Sequence, residues 1–153
     1  MDNYCATHSC SNPNVKRLPR SQMPQFTRSS LKKMDKRMKH RGHTAKKSLM
    51  SPLKMKPSQT EISVSTANSI LEKWGGKIKH HARKDPIIVS KDGSILDGHH
   101  RYLALLFAIK AGKLPQSYKA PVHMYSSEGR ETLKIAKTLK TPRHLLRFHP
   151  TQK

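Results

Sequence analysis

The chain has 153 residues, of which 31 are Lys or Arg and nine are Asp or Glu, so its formal net charge at neutral pH is +22. Hydrophobic residues make up 34% and aromatic residues 5%, which suffices for one small domain but not for a core built from the whole chain. The sequence contains no signal-peptide pattern and no apolar run of membrane-spanning length, so we expect a cytoplasmic protein with no membrane partner.

The positive charge is spread along the chain. Residues 1–50 carry twelve Lys or Arg against two acids, and the remainder is also strongly basic. Such a charge attracts polyanions, of which nucleic acid is the commonest, although a solvated basic surface without a specific partner is the alternative. The predicted nucleic-acid contacts are Arg28, Lys32, Lys33, Lys36, Arg37, Lys46, Lys47, Lys77 and Lys79.

The N-terminal part, residues 1–53, is expected to be a basic arm that is largely disordered or is ordered by a partner. Residues 29–41 could form a basic helix with Leu31, Met34 and Met38 on one stripe. The string RSQMPQF at residues 20–26 is a candidate docking strand or linear motif.

The two cysteines, Cys5 and Cys10, are too few to imply a disulfide framework. With His8 they supply three potential zinc ligands within six residues. A structural zinc site needs four ligands, and no fourth ligand stands nearby, so the sequence predicts no metal site here.

The most informative stretch is DPIIVSKDGSILDGHHRYLALLFAIKAG, at residues 85–112. Ile87-Ile88-Val89 predicts a buried strand, Lys91-Asp92-Gly93 a tight turn, and Ile95-Leu96 a return strand. The apolar segment from Tyr102 to Ile109 predicts a buried helix.

The strand-to-helix junction, Asp97-Gly98-His99-His100-Arg101, is the predicted centre of function. Asp97 has the chemistry of an N-cap, and Gly98 allows the backbone to turn sharply. A helix N-terminus favours an anion, and two imidazoles and a guanidinium add donors for phosphate or carboxylate. If these side chains served structure alone, His100 would bind a backbone carbonyl and Arg101 would pair with an acid such as Asp85 or Asp92.

The hairpin leading into DGHHR and a helix resembles the ParB/sulfiredoxin superfamily, which includes chromosome-partition proteins, sulfiredoxins and small serine kinases. The resemblance covers about residues 54–141 and implies that the junction binds the phosphates of a nucleotide, ATP or CTP, with Mg²⁺ as a possible counter-ion. Sulfiredoxins carry a nucleophilic Cys where this chain has His99, so reductase activity is not expected. Partition proteins carry a helix-turn-helix domain after this motif, and we expect none here because the sequence after Gly112 is too short for it. The residues that the resemblance assigns to nucleotide binding are Gln59, Asp97, Gly98, His99, His100 and Arg101.

The remaining elements complete an α+β prediction: a small ParB/sulfiredoxin-like domain at residues 54–142, with a mixed sheet and packed helices, preceded by the basic arm and followed by a basic tail at 143–153. Residues 63–73 fit a helix capped by Ser65 or Thr66, with Ile70, Leu71 and Trp74 on its apolar side. Residues 77–84 are expected to be a basic loop. Residues 121–125 fit a strand, and residues 128–139 a helix capped by Ser126 or Ser127.

The predicted function is binding of a nucleotide or phosphate at DGHHR and of nucleic acid at the basic surfaces, in a phage-like protein. An alternative is a small-molecule kinase, nucleotide hydrolase or DNase with Glu61 as general base and His100 as a second catalytic group. A His-Asn-His nuclease is disfavoured because no Asn follows Asn68. A further alternative is a virion or assembly protein that docks through its arm.

Overall fold

The structure is a computed structural model that describes residues 2–24 and 26–139. It contains five α-helices and a four-stranded sheet within those residues. In chain order the elements are α1 (Arg28–His40), β1 (Ala45–Met50), α2 (Val64–Trp74), α3 (Ile78–Lys84), β2 (Ile87–Val89), β3 (Ile95–Asp97), α4 (His99–Lys110), β4 (Ala120–Tyr125) and α5 (Gly129–Ala136). The predicted α+β class is therefore confirmed.

The sheet is mixed, as predicted, with strand order β1-β4-β2-β3. β4 runs antiparallel to β1 and parallel to β2, and β2 runs antiparallel to β3. Successive side chains of a strand point to opposite faces, so Ile87 and Val89 enter one core while Ile88 enters the other. The first core packs against α2, α3 and α4, and the second against α1, α5 and the segment from Val15 to Met23.

Residues 1–53 differ most from expectation, because the structure does not show the disordered arm. α1 begins and ends one residue earlier than the predicted helix at 29–41, and it buries Met34 and Met38 completely, since their stripe faces the second core. β1 extends the sheet by pairing along its whole length with β4. Residues before 54 therefore contribute a helix and an edge strand to the described structure.

The two cysteines also differ from expectation. Cys5 and Cys10 form a disulfide, with their Cα atoms 5.4 Å apart. The disulfide leaves His8 without thiolate partners for zinc, and its ring stacks on Tyr4 with the ring centres 4.1 Å apart. Across residues 2–24 and 26–139, no group of three or more His, Cys, Asp or Glu is placed to hold a metal ion.

Three local details correct the sequence analysis. The expected loop at residues 77–84 is the helix α3, which buries Ile78 and Ala82 one turn apart. The N-cap of α2 is Ser63, not Ser65 or Thr66, and its hydroxyl accepts from the Thr66 N–H at 3.1 Å. The N-cap of α5 is Glu128, not Ser126 or Ser127. The expected tail at 143–153 lies outside the described residues. None of the described helices combines the length and apolar character needed to cross a bilayer.

Candidate functional site

The DGHHR junction is built as the local sequence predicts, with one correction. Gly98 has φ +98°, a left-handed conformation that side chains rarely adopt, and it lets β3 turn directly into α4. Asp97 is not the N-cap, because it is the last residue of β3 and Gly98 occupies the cap position without a side-chain hydrogen bond. The Asp97 carboxylate instead contacts the Arg101 guanidinium at 3.3 Å, one helical turn away.

Arg101 is held by backbone oxygens as well as by this ion pair. Its Nη1 donates to the Asp85 carbonyl at 2.6 Å and to the Pro86 carbonyl at 3.2 Å, while Nη2 reaches Asp97. The guanidinium therefore joins the start of β2 to the end of β3. If it served structure alone, Arg101 was expected to pair with an acid such as Asp85 or Asp92. It does pair with an acid, but that acid is Asp97, and at Asp85 it binds the backbone carbonyl and not the carboxylate.

The two imidazoles join the junction to the loop before α2. His99 is buried, and its Nε2 accepts from the Ser58 N–H at 3.0 Å. His100 Nε2 accepts from the Ser63 N–H, also at 3.0 Å. Residues 58–63 therefore lie opposite the DGHHR turn, and both imidazoles serve as acceptors for backbone donors.

The environment of His99 keeps its ring neutral. Burial is the largest cause that lowers the pKa of His99 from 6.5 to about 3, and the charges of His100, Arg101 and Arg20 contribute the rest of that shift. A neutral ring can accept the Ser58 N–H on one nitrogen, which a doubly protonated ring could not do. His99 therefore acts as a fixed hydrogen-bond acceptor at neutral pH, not as a cation for a phosphate.

A groove of about 790 Å³ opens beside this junction. Its lining includes every residue that the resemblance assigned to nucleotide binding: Gln59, Asp97, Gly98, His99, His100 and Arg101. Four further elements contribute to the wall. Arg20, Met23, Pro24 and Phe26 come from the N-terminal segment, Ser65, Thr66, Ser69, Ile70, Lys73 and Trp74 from α2, His81 and Lys84 from α3, and Leu96 from β3.

The cations available to an anion in this groove are therefore mainly residues that the sequence analysis missed. Arg20, Lys73 and Lys84 line it from three different elements. The sequence does contain a pattern that predicts part of this wall. Ser65, Ser69 and Lys73 recur every four residues, so they lie on one face of α2. No local signal connected Arg20 with α4, since the two meet only through the tertiary fold.

Glu61, the predicted general base, is exposed and does not line the groove. Its Oε1 accepts from the Arg20 N–H at 3.2 Å, while the Gln59 side chain donates to the Glu61 carbonyl at 2.5 Å. The carboxylate thus holds the turn at Arg20 against the loop before α2. The two acids in the lining are Asp85 and Asp97, and Asp97 already pairs with Arg101. This donor set fits a phosphate group better than it fits a separate Mg²⁺ site.

The predicted nucleic-acid contacts fall into two groups. The first group lies on or beside α1, where the exposed residues are Arg28, Lys32, Lys33, Lys36 and Arg37. Lys47 of β1 belongs to the same group, because it pairs with His123, whose side chain contacts Asp35 of α1. Lys77 and Lys79 are exposed at the start of α3, on the opposite side of the sheet, and Lys46 also points away from α1. One surface therefore cannot contain all nine residues.

Comparisons with protein-family models, curated proteins and solved structures found no match to this chain. The resemblance to the ParB/sulfiredoxin superfamily stays a prediction from the DGHHR residues.

Proposed function

We propose that this protein binds nucleic acid through the exposed face of α1. The observation that carries the proposal is how α1 divides its residues. Met34 and Met38 enter the second core, the single acid of the helix turns toward the sheet, and six Lys or Arg side chains remain exposed. The exposed Lys and Arg residues of the helix are Arg28, Lys32, Lys33, Lys36, Arg37 and Lys39.

The position of Asp35 explains why this face stays uniformly basic. Its Oδ1 accepts from the Tyr125 hydroxyl at 2.6 Å and lies 3.0 Å from His123 Nε2. Burial raises the pKa of Tyr125, and the Asp35 carboxylate raises it further, so the phenol remains a donor at all ordinary pH values. The acid of α1 therefore anchors the helix to β4.

The spacing of the exposed cations suits a phosphate backbone. With a rise of about 1.5 Å per residue, the row from Arg28 to Arg37 is roughly 13 Å long. Duplex DNA carries one negative charge per roughly 1.7 Å of its axis, so several phosphates can face this row. The helix is fixed by its buried methionines, so no ordering of a disordered arm is needed for these contacts.

The salt dependence of DNA affinity tests this proposal. Each phosphate contact contributes about 0.9 to the slope of log affinity against log salt, so K32Q/K33Q/K36Q should lower its magnitude by about 2 to 3. The matched control is K110Q/K113Q/K119Q, which removes the same charge from exposed positions around the end of α4 and before β4. The proposal fails if both triple variants change the slope equally, or if the wild type does not bind.

A second candidate function is binding of a nucleotide or another phosphate compound in the groove beside α4. It is favoured by the convergence of Arg20, Lys73 and Lys84 with three hydroxyl side chains around one open space of about 790 Å³. The apolar end, with Met23, Phe26 and Leu96, gives the groove the mixed character of a small-molecule site. Turnover by a kinase or hydrolase would require a base, and Glu61 lies outside this lining.

A further inference from the structure

A second basic surface lies on the same side of the sheet as α1. A groove of about 410 Å³ runs between α5 and the segment containing Val15 and Lys16. Its lining is Val15, Lys16, Arg130, Leu133, Lys134 and Lys137. Four of these six side chains are cations, and none is an acid. Neither Glu128 nor Glu131, the acids at the start of α5, lines the groove.

The walls of this groove are fixed by buried contacts. Val15 packs so closely against the start of α5 that a Cβ added to Gly129 would lie 2.9 Å from a Val15 methyl. The buried Asn12 amide donates to the Ser94 hydroxyl and to the Pro57 carbonyl, each at 3.0 Å, and so holds the segment that carries Lys16. The Gly129 N–H donates to Asp92 at 3.1 Å and fixes the first turn of α5. Four cations are therefore held near one another before any ligand arrives.

We infer that this α5 groove binds the phosphodiester backbone of double-stranded nucleic acid. Val15 and Leu133 are less than 10% exposed, so the floor offers little apolar surface and the exposed cations dominate recognition. At about 1.5 Å per residue the row from Arg130 to Lys137 is roughly 10 Å long. Since phosphates along one duplex strand advance about 3.4 Å each, this row can face about three of them.

A duplex fits better than a single strand because the described residues offer no exposed Phe, Tyr or Trp side chain. Proteins that bind single strands without sequence preference stack bases on aromatic rings, and those rings contribute much of the affinity. Here every described Phe, Tyr and Trp is buried or half-buried, so base stacking has no large aromatic platform on the α1 and α5 surfaces, where the exposed ring is the imidazole of His40. Contacts to the backbone alone also imply little preference for sequence.

The α5 groove and the α1 face adjoin at the ends of their helices. Arg37 Nη1 donates to the Thr138 hydroxyl at 2.6 Å and to the Thr138 carbonyl at 3.1 Å, which joins the end of α1 to the residues just after α5. One duplex can then contact both rows of cations. This inference rests on the proposed function and deepens it, because it adds a second contact surface and names the form of the nucleic acid.

The experiment measures binding of the full chain to a duplex and to one of its single strands, over a range of salt concentrations. R130Q/K134Q/K137Q should lower the slope on the duplex by about 2 to 3, and K16Q alone by about 1. K110Q/K113Q/K119Q serves again as the control of equal charge, and circular dichroism and the melting temperature check that each variant folds. The wild type should bind the duplex more tightly than the single strand.

The outcomes separate this inference from the proposed function. If the α5 variant matches the control while K32Q/K33Q/K36Q lowers the slope, the α5 inference is wrong and the α1 proposal stands. If the α5 variant lowers the slope and the α1 variant does not, the inference stands and the α1 assignment falls. Equal or tighter binding of the single strand overturns the duplex assignment. Binding of polyglutamate but not of the duplex would overturn both in favour of an acidic protein partner.

Discussion

Replacing His99 tests the reasoning about the DGHHR junction most directly. The imidazole is 4% exposed, and its Nε2 accepts from the Ser58 N–H at 3.0 Å. The substitution His99→Gln removes the titratable ring and keeps a side chain that can accept a hydrogen bond. If the ring is neutral because it is buried, the variant should remove one specific part of the pH dependence of stability.

The size of this effect follows from the two pKa values. Below about pH 6.5 the unfolded chain takes up a proton on this imidazole, whereas the folded chain, with a pKa of about 3, does not until the pH is much lower. The unfolded state then binds more protons, so the free energy of unfolding falls as the pH falls through this window. Between pH 7 and pH 4 the wild type should lose about 3 kcal/mol relative to His99→Gln.

The assay is urea unfolding of both proteins at several pH values between 7 and 4, followed by comparison of their free energies of unfolding. Ile62→Val is the control, since Ile62 is fully buried and its replacement destabilises by about 1 kcal/mol without removing a titratable group. The difference between wild type and Ile62→Val should not depend on pH. If the difference for His99→Gln is equally constant, the folded protein protonates His99 readily and the account of its burial is wrong.

Two further predictions concern the same junction and its groove. Gly98→Ala should lower the free energy of unfolding by about 1 to 2 kcal/mol, because φ is +98° and the new Cβ would lie 2.9 Å from Arg101 Nη2. Gly76→Ala meets no atom within 4 Å and should be neutral in the same urea titration, so equal effects of the two variants would contradict the argument. If the groove takes a nucleotide, then ATP, ADP, CTP or GTP at a hundred times its dissociation constant, with or without Mg²⁺, should stabilise the protein by about 2.7 kcal/mol in a thermal-shift assay. R20Q/K73Q/K84Q should abolish that shift while K110Q/K113Q/K119Q retains it, and a shift of equal size with tripolyphosphate would indicate a phosphate site without nucleotide selectivity.

The parts of the fold that the sequence predicted correctly are those with strong local signals. The run Ile87-Ile88-Val89, the turn at Asp92-Gly93 and the helix after Gly98 each follow from neighbouring residues, and the structure confirms all three. The helix at α1 was foreseen from the spacing of its methionines. Its place in the fold was not, because ten of its thirteen residues are charged or polar and only the rest of the protein supplies the second core.

The errors arise where several residues have equal local chemistry. Ser63, Ser65 and Thr66 can each cap a helix, and the contact between the Ser63 N–H and His100 favours the first of them. In α3 the apolar stripe consists of Ile78 and Ala82 alone, so its cations concealed the helical period. The wall formed by Arg20 and the anchoring role of Glu61 depend on contacts across about forty residues, which no short pattern encodes.

The attachment of α1 and β1 to β4 also has a consequence for the order of events during synthesis. The hydrogen bond between Asp35 and Tyr125 cannot form until Tyr125 has been synthesised, 90 residues after Asp35. At typical translation rates, synthesis of those residues takes roughly 5 to 20 s. Until then the most basic third of the chain emerges without the strand that completes its sheet, next to ribosomal RNA. Contacts between residues so far apart in sequence form slowly. Folding of α1 and β1 onto β4 therefore competes with binding of the same basic residues to ribosomal RNA.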